Sequence, residues 1–127
     1  MITLLVVDDQ PSVRRGLRMR LALESDLKTL GEASNGLEAL AAVRQLHPDI
    51  VVMDVDMPQM DGITATAKLA AVAPRTAVII LSIHDDTGTR QRARAAGAVA
   101  FVAKQAGDLA LLEAIHQAAA GAGRGCG

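Results

Sequence analysis

Leu4-Leu5-Val6-Val7-Asp8-Asp9 decides how this chain folds: four apolar residues in a row end on two carboxylates. The same arrangement returns three times. Ile50-Val51-Val52-Met53 runs into Asp54, Val78-Ile79-Ile80-Leu81 into Ser82, and Val99-Ala100-Phe101-Val102-Ala103 into Lys104. Unalternating apolar runs of this length describe strands buried on both faces, which belong to a parallel sheet covered by helices. In such sheets the carboxyl ends of the strands share one edge, where ligands bind. Three carboxylates, a hydroxyl and an ammonium from distant parts of the chain are therefore expected in one place.

Helical spacing fills the intervals. Val13, Leu17 and Leu21 recur one turn apart after Asp9-Gln10-Pro11-Ser12, with Pro11 suited to a first turn. Leu37, Leu40, Ala41, Val43 and Leu46 mark a second helix, stopped by His47-Pro48. A weaker strand near Lys28–Glu32 ends in the turn signal Ala33-Ser34-Asn35-Gly36. Residues Ile63 to Ala71 form an alanine-rich helix, Thr87 to Ala96 a polar one closed by Gly97. Leu109, Leu112, Ile115 and Ala119 mark the last. Five repeats of strand then helix, with right-handed crossovers, predict an α/β fold: one doubly wound, five-stranded parallel sheet. The flavodoxin-like order 2-1-3-4-5 is expected by analogy with other doubly wound sheets, and it would set Asp8 and Asp9 beside Asp54 at the switch point. Residues 1–120 are read as one domain. Residues 121–127 are read as a flexible glycine-rich tail that begins a linker, with no output domain present.

Bulk properties agree with one domain of 127 residues. A net charge of −1 gives no electrostatic footprint for nucleic acid. Arg90, Arg92 and Arg94 read as a solvated helix face. No apolar stretch approaches the ~20 residues of a membrane span, and Met1-Ile2-Thr3 enters a strand without a leader. The lone Cys126 rules out an internal disulfide. A cytoplasmic protein is expected.

Taken alone, Asp8 and Asp9 could equally cap the following helix, and Asp54 could cap a turn. Together they are harder to explain structurally. Two carboxylates ~5 Å apart repel by about 3 kcal/mol at an effective dielectric of ~20, so three of them call for a counter-ion. Hard oxygen ligands on an open edge suit Mg²⁺, which keeps several waters and shares its shell with phosphate. Asp9 and Asp54 are the expected direct ligands, with Asp8 acting through water. Asp54 is also the best nucleophile, since a carboxylate can form an acyl phosphate. Lys104 offers a mobile point charge to a phosphate oxygen, and Ser82 one hydrogen bond. Met57-Pro58-Gln59-Met60-Asp61-Gly62 forms a loop stiffened by Pro58, with Gly62 free to adopt special dihedrals and Asp61 as a helix cap.

These residues strongly resemble the receiver domain of two-component response regulators, over about Thr3 to Ala120. The resemblance implies Asp54 as phosphoacceptor, Asp8 and Asp9 as the acidic pair, and the Asp56 backbone carbonyl as a further metal ligand. It implies Ser82 as switch hydroxyl, Phe101 as switch aromatic and Lys104 as the phosphate-contacting lysine. It also implies a sensor histidine kinase as partner, and it admits a homodimer on phosphorylation. Gln10 to Leu17 and Leu111 to Ile115 look most like receivers attached to a LuxR-type helix-turn-helix, so transcription is the expected output. Gln105 departs from the proline many receivers carry there. Asp56 and His84, each two residues beyond a site residue, occupy positions that tune dephosphorylation in the family.

Two other readings compete. Asp54-Val55-Asp56 has the D-x-D form of haloacid-dehalogenase-type phosphatases, which need metal-binding acids late in the chain. Only Asp108 and Glu113 follow Lys104. A phosphorylation-independent interaction domain on the same fold is the second.

Overall fold

The computed structural model describes residues 1–122. Its elements are β1 (Ile2–Val7), α1 (Pro11–Leu21), β2 (Leu27–Ala33), α2 (Gly36–Leu46), β3 (Ile50–Met53), α3 (Gly62–Val72), β4 (Ala77–Ser82), α4 (Thr87–Ala96), β5 (Ala100–Ala103) and α5 (Asp108–Ala122). All strand pairs are parallel, in the order β2-β1-β3-β4-β5. The expected topology holds.

Alternation within each apolar run divides the core into two layers, because successive side chains leave a strand on opposite faces. Leu4, Val6, Ile50, Val52, Ile79 and Leu81 point to one side, where Leu21 of α1 and Leu111, Leu112 and Ile115 of α5 cover them. Leu5, Val7, Val51, Met53, Val78 and Ile80 point to the other, against Ala39 and Val43 of α2, Ala65 and Leu69 of α3, and Ala93 of α4. With both faces buried, no solvent-facing alternation survives in β1, β3 or β4.

Several local expectations needed correction. On α2 the buried face centres on Ala39 and Val43, while Leu37 stands half-exposed. Leu37 lies two residues from Ala39, on the opposite side of the helix, and so faces outward. Leu109 on α5 is likewise exposed. The weak strand is longer than expected and carries a register shift opposite Leu4/Leu5. Gly31 sits at this irregularity, where a Cβ would come within 3.1 Å of Leu46 Cδ1. Gly62 does not take a positive φ; Gln59 does, at 67°. What excludes a side chain at Gly62 is space: a Cβ there would lie 1.9 Å from the Asp54 carbonyl oxygen. Beyond Lys104, residues 104–106 form a 3₁₀ turn without the family's proline. Finally, α5 continues through Gly121 to Ala122, so the expected boundary at residue 120 falls inside a helix. A glycine there weakens a helix by only about 1 kcal/mol. The remainder of the expected tail, 123–127, lies outside the described residues.

Candidate functional site

The neighbouring strands β1 and β3, with Val7 paired to Met53, release Asp8 and Asp54 side by side. Carboxylate oxygens of Asp8, Asp9 and Asp54 lie within 4.8 Å of one another. Asp8 and Asp54 are buried and Asp9 faces solvent. Lys104, placed just after β5, reaches back over the edge: its Nζ is 2.9 Å from Asp8 Oδ2 and 3.7 Å from Asp54 Oδ1. The sequence reading assigned this lysine to a phosphate oxygen. In the structure its ammonium lies against two of the carboxylates, as their counter-ion.

Asp54 is electrostatically distinct. Burial pushes its carboxyl up from 3.8 to about 6; the Lys104 ammonium opposes the rise and the Asp8 carboxylate adds to it. A single ammonium faces three carboxylates, so the cluster is short of positive charge when all are ionised. Oxygen donors, one of them at a solvent-facing mouth, together with that deficit fit a hard hydrated cation.

The carboxylates are held in place by local bonds. Asp54 Oδ1 accepts from the Val55 amide at 2.9 Å, and the Asp54 amide donates to Val7 O at 3.0 Å. Asp8 Oδ1 accepts from the Gln10 amide at 2.9 Å. The capping alternative for the acidic pair fails, because the residue preceding α1 is Gln10, which makes no side-chain cap. Asp61 does cap α3, accepting from the Thr64 amide.

Ser82 is fully buried at the end of β4, with its Oγ accepting from the His84 amide at 3.0 Å. It hydrogen-bonds to neither Asp54 nor Lys104. Phe101 is half-buried on β5 and packs against the α2–α4 layer. The Asp56 side chain turns to the rim, where Oδ2 lies 2.5 Å from His84 Nε2.

Three interactions escaped the sequence reading. Arg14 donates to the Asp8 carbonyl at 2.6 Å while its Nε pairs with Glu32 at 2.7 Å, tying the acidic loop to β2. The Asp56–His84 pair joins two positions the sequence singled out separately. Arg90, read as part of a solvated face, lies over the Phe101 ring with Cζ 4.6 Å from its centroid. No spacing rule links such partners, since only the folded topology makes them neighbours.

The late acids that the phosphatase alternative needs lie outside the cluster of Asp8, Asp9 and Asp54. Asp56 is engaged with His84, Asp108 pairs with Arg20, and Glu113 accepts from Gln117. A cavity of about 1300 Å³ opens at the amino end of the sheet between Ile2, Asp49, Ala77 and Ala118. It contains none of the candidate residues.

Comparison with known proteins agrees with the geometry. Residues 4–116 match the family model described as the response regulator receiver domain. YhcZ of Bacillus subtilis, a transcriptional regulatory protein, is 41% identical over 101 residues, which is 80% of this chain and 47% of that protein. The response regulator GacA of Pseudomonas aeruginosa is 38% identical over 121 residues, covering 95% of this chain and 56% of GacA. The chain thus spans about half the length of these curated relatives. Among solved structures, the receiver domain of the NarL regulator from Mycobacterium tuberculosis superposes with a TM-score of 0.90 at 30% identity, covering 94% of this chain and 97% of that one. The buried carboxylate cluster, the lysine beside it and the family match over residues 4–116 lead to one conclusion: the chain belongs to the receiver domains of two-component response regulators.

Proposed function

We propose that Asp54 accepts a phosphoryl group from a phosphohistidine of a sensor histidine kinase, with Mg²⁺ bound, and that Ser82 and Phe101 relay the change. The observation carrying this reading is Asp54 itself: a buried carboxylate set beside Asp8, Asp9 and Lys104. One of its oxygens attacks phosphorus while the phosphorus–nitrogen bond breaks, and the departing imidazole keeps the electron pair. Asp9 and Asp54 would hold the metal directly, Asp8 through water, and the Asp56 carbonyl would add a further oxygen. When bound, the cation supplies positive charge to the transferring group.

Lys104 makes room for the metal and then serves the product. A cation between the carboxylates competes with the ammonium for Asp8, and the freed Nζ has three donors for phosphoryl oxygens. Ser82 exchanges its contact with the His84 amide for one to the phosphoryl group, and Phe101 follows into the space behind it. YhcZ is a transcriptional regulatory protein of which this chain spans about half, which supports a transcriptional output through a further domain, in the cytoplasm. No helix among the described residues is long and apolar enough to cross a membrane.

Incubation with a small phosphodonor and Mg²⁺ tests the assignment. One base-labile phosphoryl group should appear on the parent and none on Asp54→Asn; a modified variant would overturn the role of Asp54. Sustained turnover of a phosphate monoester would favour a phosphatase. Failure to accept phosphate would favour a phosphorylation-independent interaction domain.

A further inference from the structure

Arg90 connects two parts of the molecule that a switch would have to separate. Its guanidinium covers the Phe101 ring at 4.6 Å, and its Nε donates to the Asp85 carbonyl at 3.1 Å. Asp85 lies in the short loop between β4 and α4. That loop begins at Ser82, whose Oγ accepts from the His84 amide. One side chain therefore touches both the loop that engages the switch hydroxyl and the aromatic that answers it. Arg90 itself is exposed on the first turns of α4, and no carboxylate pairs with it among the described residues. Its side chain instead meets a ring face and a backbone carbonyl. Beside them Phe101, Gln91 and Arg94 border a shallow cavity of about 350 Å³, so the ring has open space on this side.

We infer that Arg90 is a restraint on the conformation in which Ser82 Oγ accepts from the His84 amide, holding Phe101 and the β4–α4 loop in place until a phosphoryl group draws Ser82 away. The inference rests on the receiver reading above. An interaction present in one state and absent in the other shifts the equilibrium by its own free energy. The guanidinium–ring contact exists only while the ring lies under Arg90. If Phe101 turns inward, that contact is lost, and the carbonyl bond loosens as the loop follows Ser82. Removing the guanidinium should enlarge the active population by about two- to fivefold, the range of an exposed cation–π contact. Binding and conformation are reciprocal, so a phosphoryl mimic should bind tighter by the same factor.

The experiment titrates the chain with beryllofluoride in the presence of Mg²⁺ and follows backbone amide resonances of Leu81 and Ala103. Leu81 precedes Ser82 and Ala103 precedes Lys104, so these amides report on the site. The parent is compared with Arg90→Ala, with Arg90→Met, which keeps the stem, and with Arg92→Ala, which removes a charge from the same helix without touching the ring. Both Arg90 variants should bind the mimic about two- to fivefold tighter. Before any mimic is added, their amides should already lie part-way along the line to the bound positions, while Arg92→Ala matches the parent. Unchanged affinity and amides in the Arg90 variants would overturn the restraint and leave the receiver reading intact. An equal effect of Arg92→Ala would overturn it in favour of general helix charge. A parent that binds no beryllofluoride would overturn both readings.

Discussion

Asp54 carries its charge where the fold opposes it, and the pH dependence follows. Its carboxyl titrates at about 6 in the folded chain against 3.8 as the ordinary value. Below the lower value both states hold the proton. As pH rises from about 4 to about 6 the unfolded chain releases its proton first, so stability falls, and above about 6 the whole penalty stands. The displacement is worth on the order of 2–3 kcal/mol. Without metal, Asp54→Asn should therefore unfold at higher denaturant than the parent at neutral pH, with the gap closing as pH falls to about 4. A gap independent of pH would show that the charge of Asp54 is not what strains the apo protein. Asp9→Ala should lose most of the stabilisation by Mg²⁺, while the metal-free protein gains slightly from one fewer like charge. If Mg²⁺ raises the midpoint of both proteins equally, Asp9 is not a ligand. At this scale the sequence located every carboxylate and the lysine, because each follows an apolar run. It could not show that Lys104 rests on Asp8, since a lysine's partner depends on which charges are vacant.

Among the elements, the strands were legible and the helix faces less so. Runs such as Val51-Val52-Met53 admit one environment, buried on both sides, whereas α2 offers two apolar stripes and the packing of Ala39 and Val43 selects between them. The loop from β3 to α3 was recognised by Pro58 and Gly62, but for the wrong property of the glycine. Its amide donates to Val55 O at 2.8 Å, drawing α3 against the backbone of Asp54. The obstructing atom is a carbonyl oxygen that cannot swing aside. Gly62→Ala should thus destabilise the protein by at least about 2 kcal/mol. The same clash displaces the Asp54 peptide, so phosphodonor labelling should slow more than in a variant of equal instability elsewhere, such as Leu69→Ala. Equal labelling of the two, compared at matched stability, would separate α3 packing from the site. The register shift in β2 left no trace in the sequence beyond Gly31.

On the scale of the molecule, strand order turns a linear pattern into a site. The expected order was carried over by analogy from other doubly wound sheets, and the pairing of β1 with β3 sets Asp8 beside Asp54 as that order implies. The pairing of β4 with β5 puts Ser82 beside Ala103, so Ser82 and the strand of Phe101 share a ladder. Losing the Ser82 hydroxyl should accordingly leave phosphorylation of Asp54 intact while uncoupling the ring. The resonances of Phe101, the lone aromatic, should move on phosphorylation in the parent and much less in Ser82→Ala. Ring signals that stay unchanged in a fully modified parent would show that the two are not coupled.

The contact between Lys104 and Asp8 spans 96 residues, which gives the order of chain synthesis a meaning for the site. A ribosome releases Asp8 and Asp9 first, then β3 with Asp54, and the neutralising ammonium only after β4 and β5. Contacts of such long separation form late because loop closure must be met before they contribute. A nascent chain halted after β4 therefore holds the three carboxylates without Lys104. Arrival of Lys104 brings the ammonium to a cluster whose other members have been waiting since β3, so the last strand to emerge closes the site as well as the sheet.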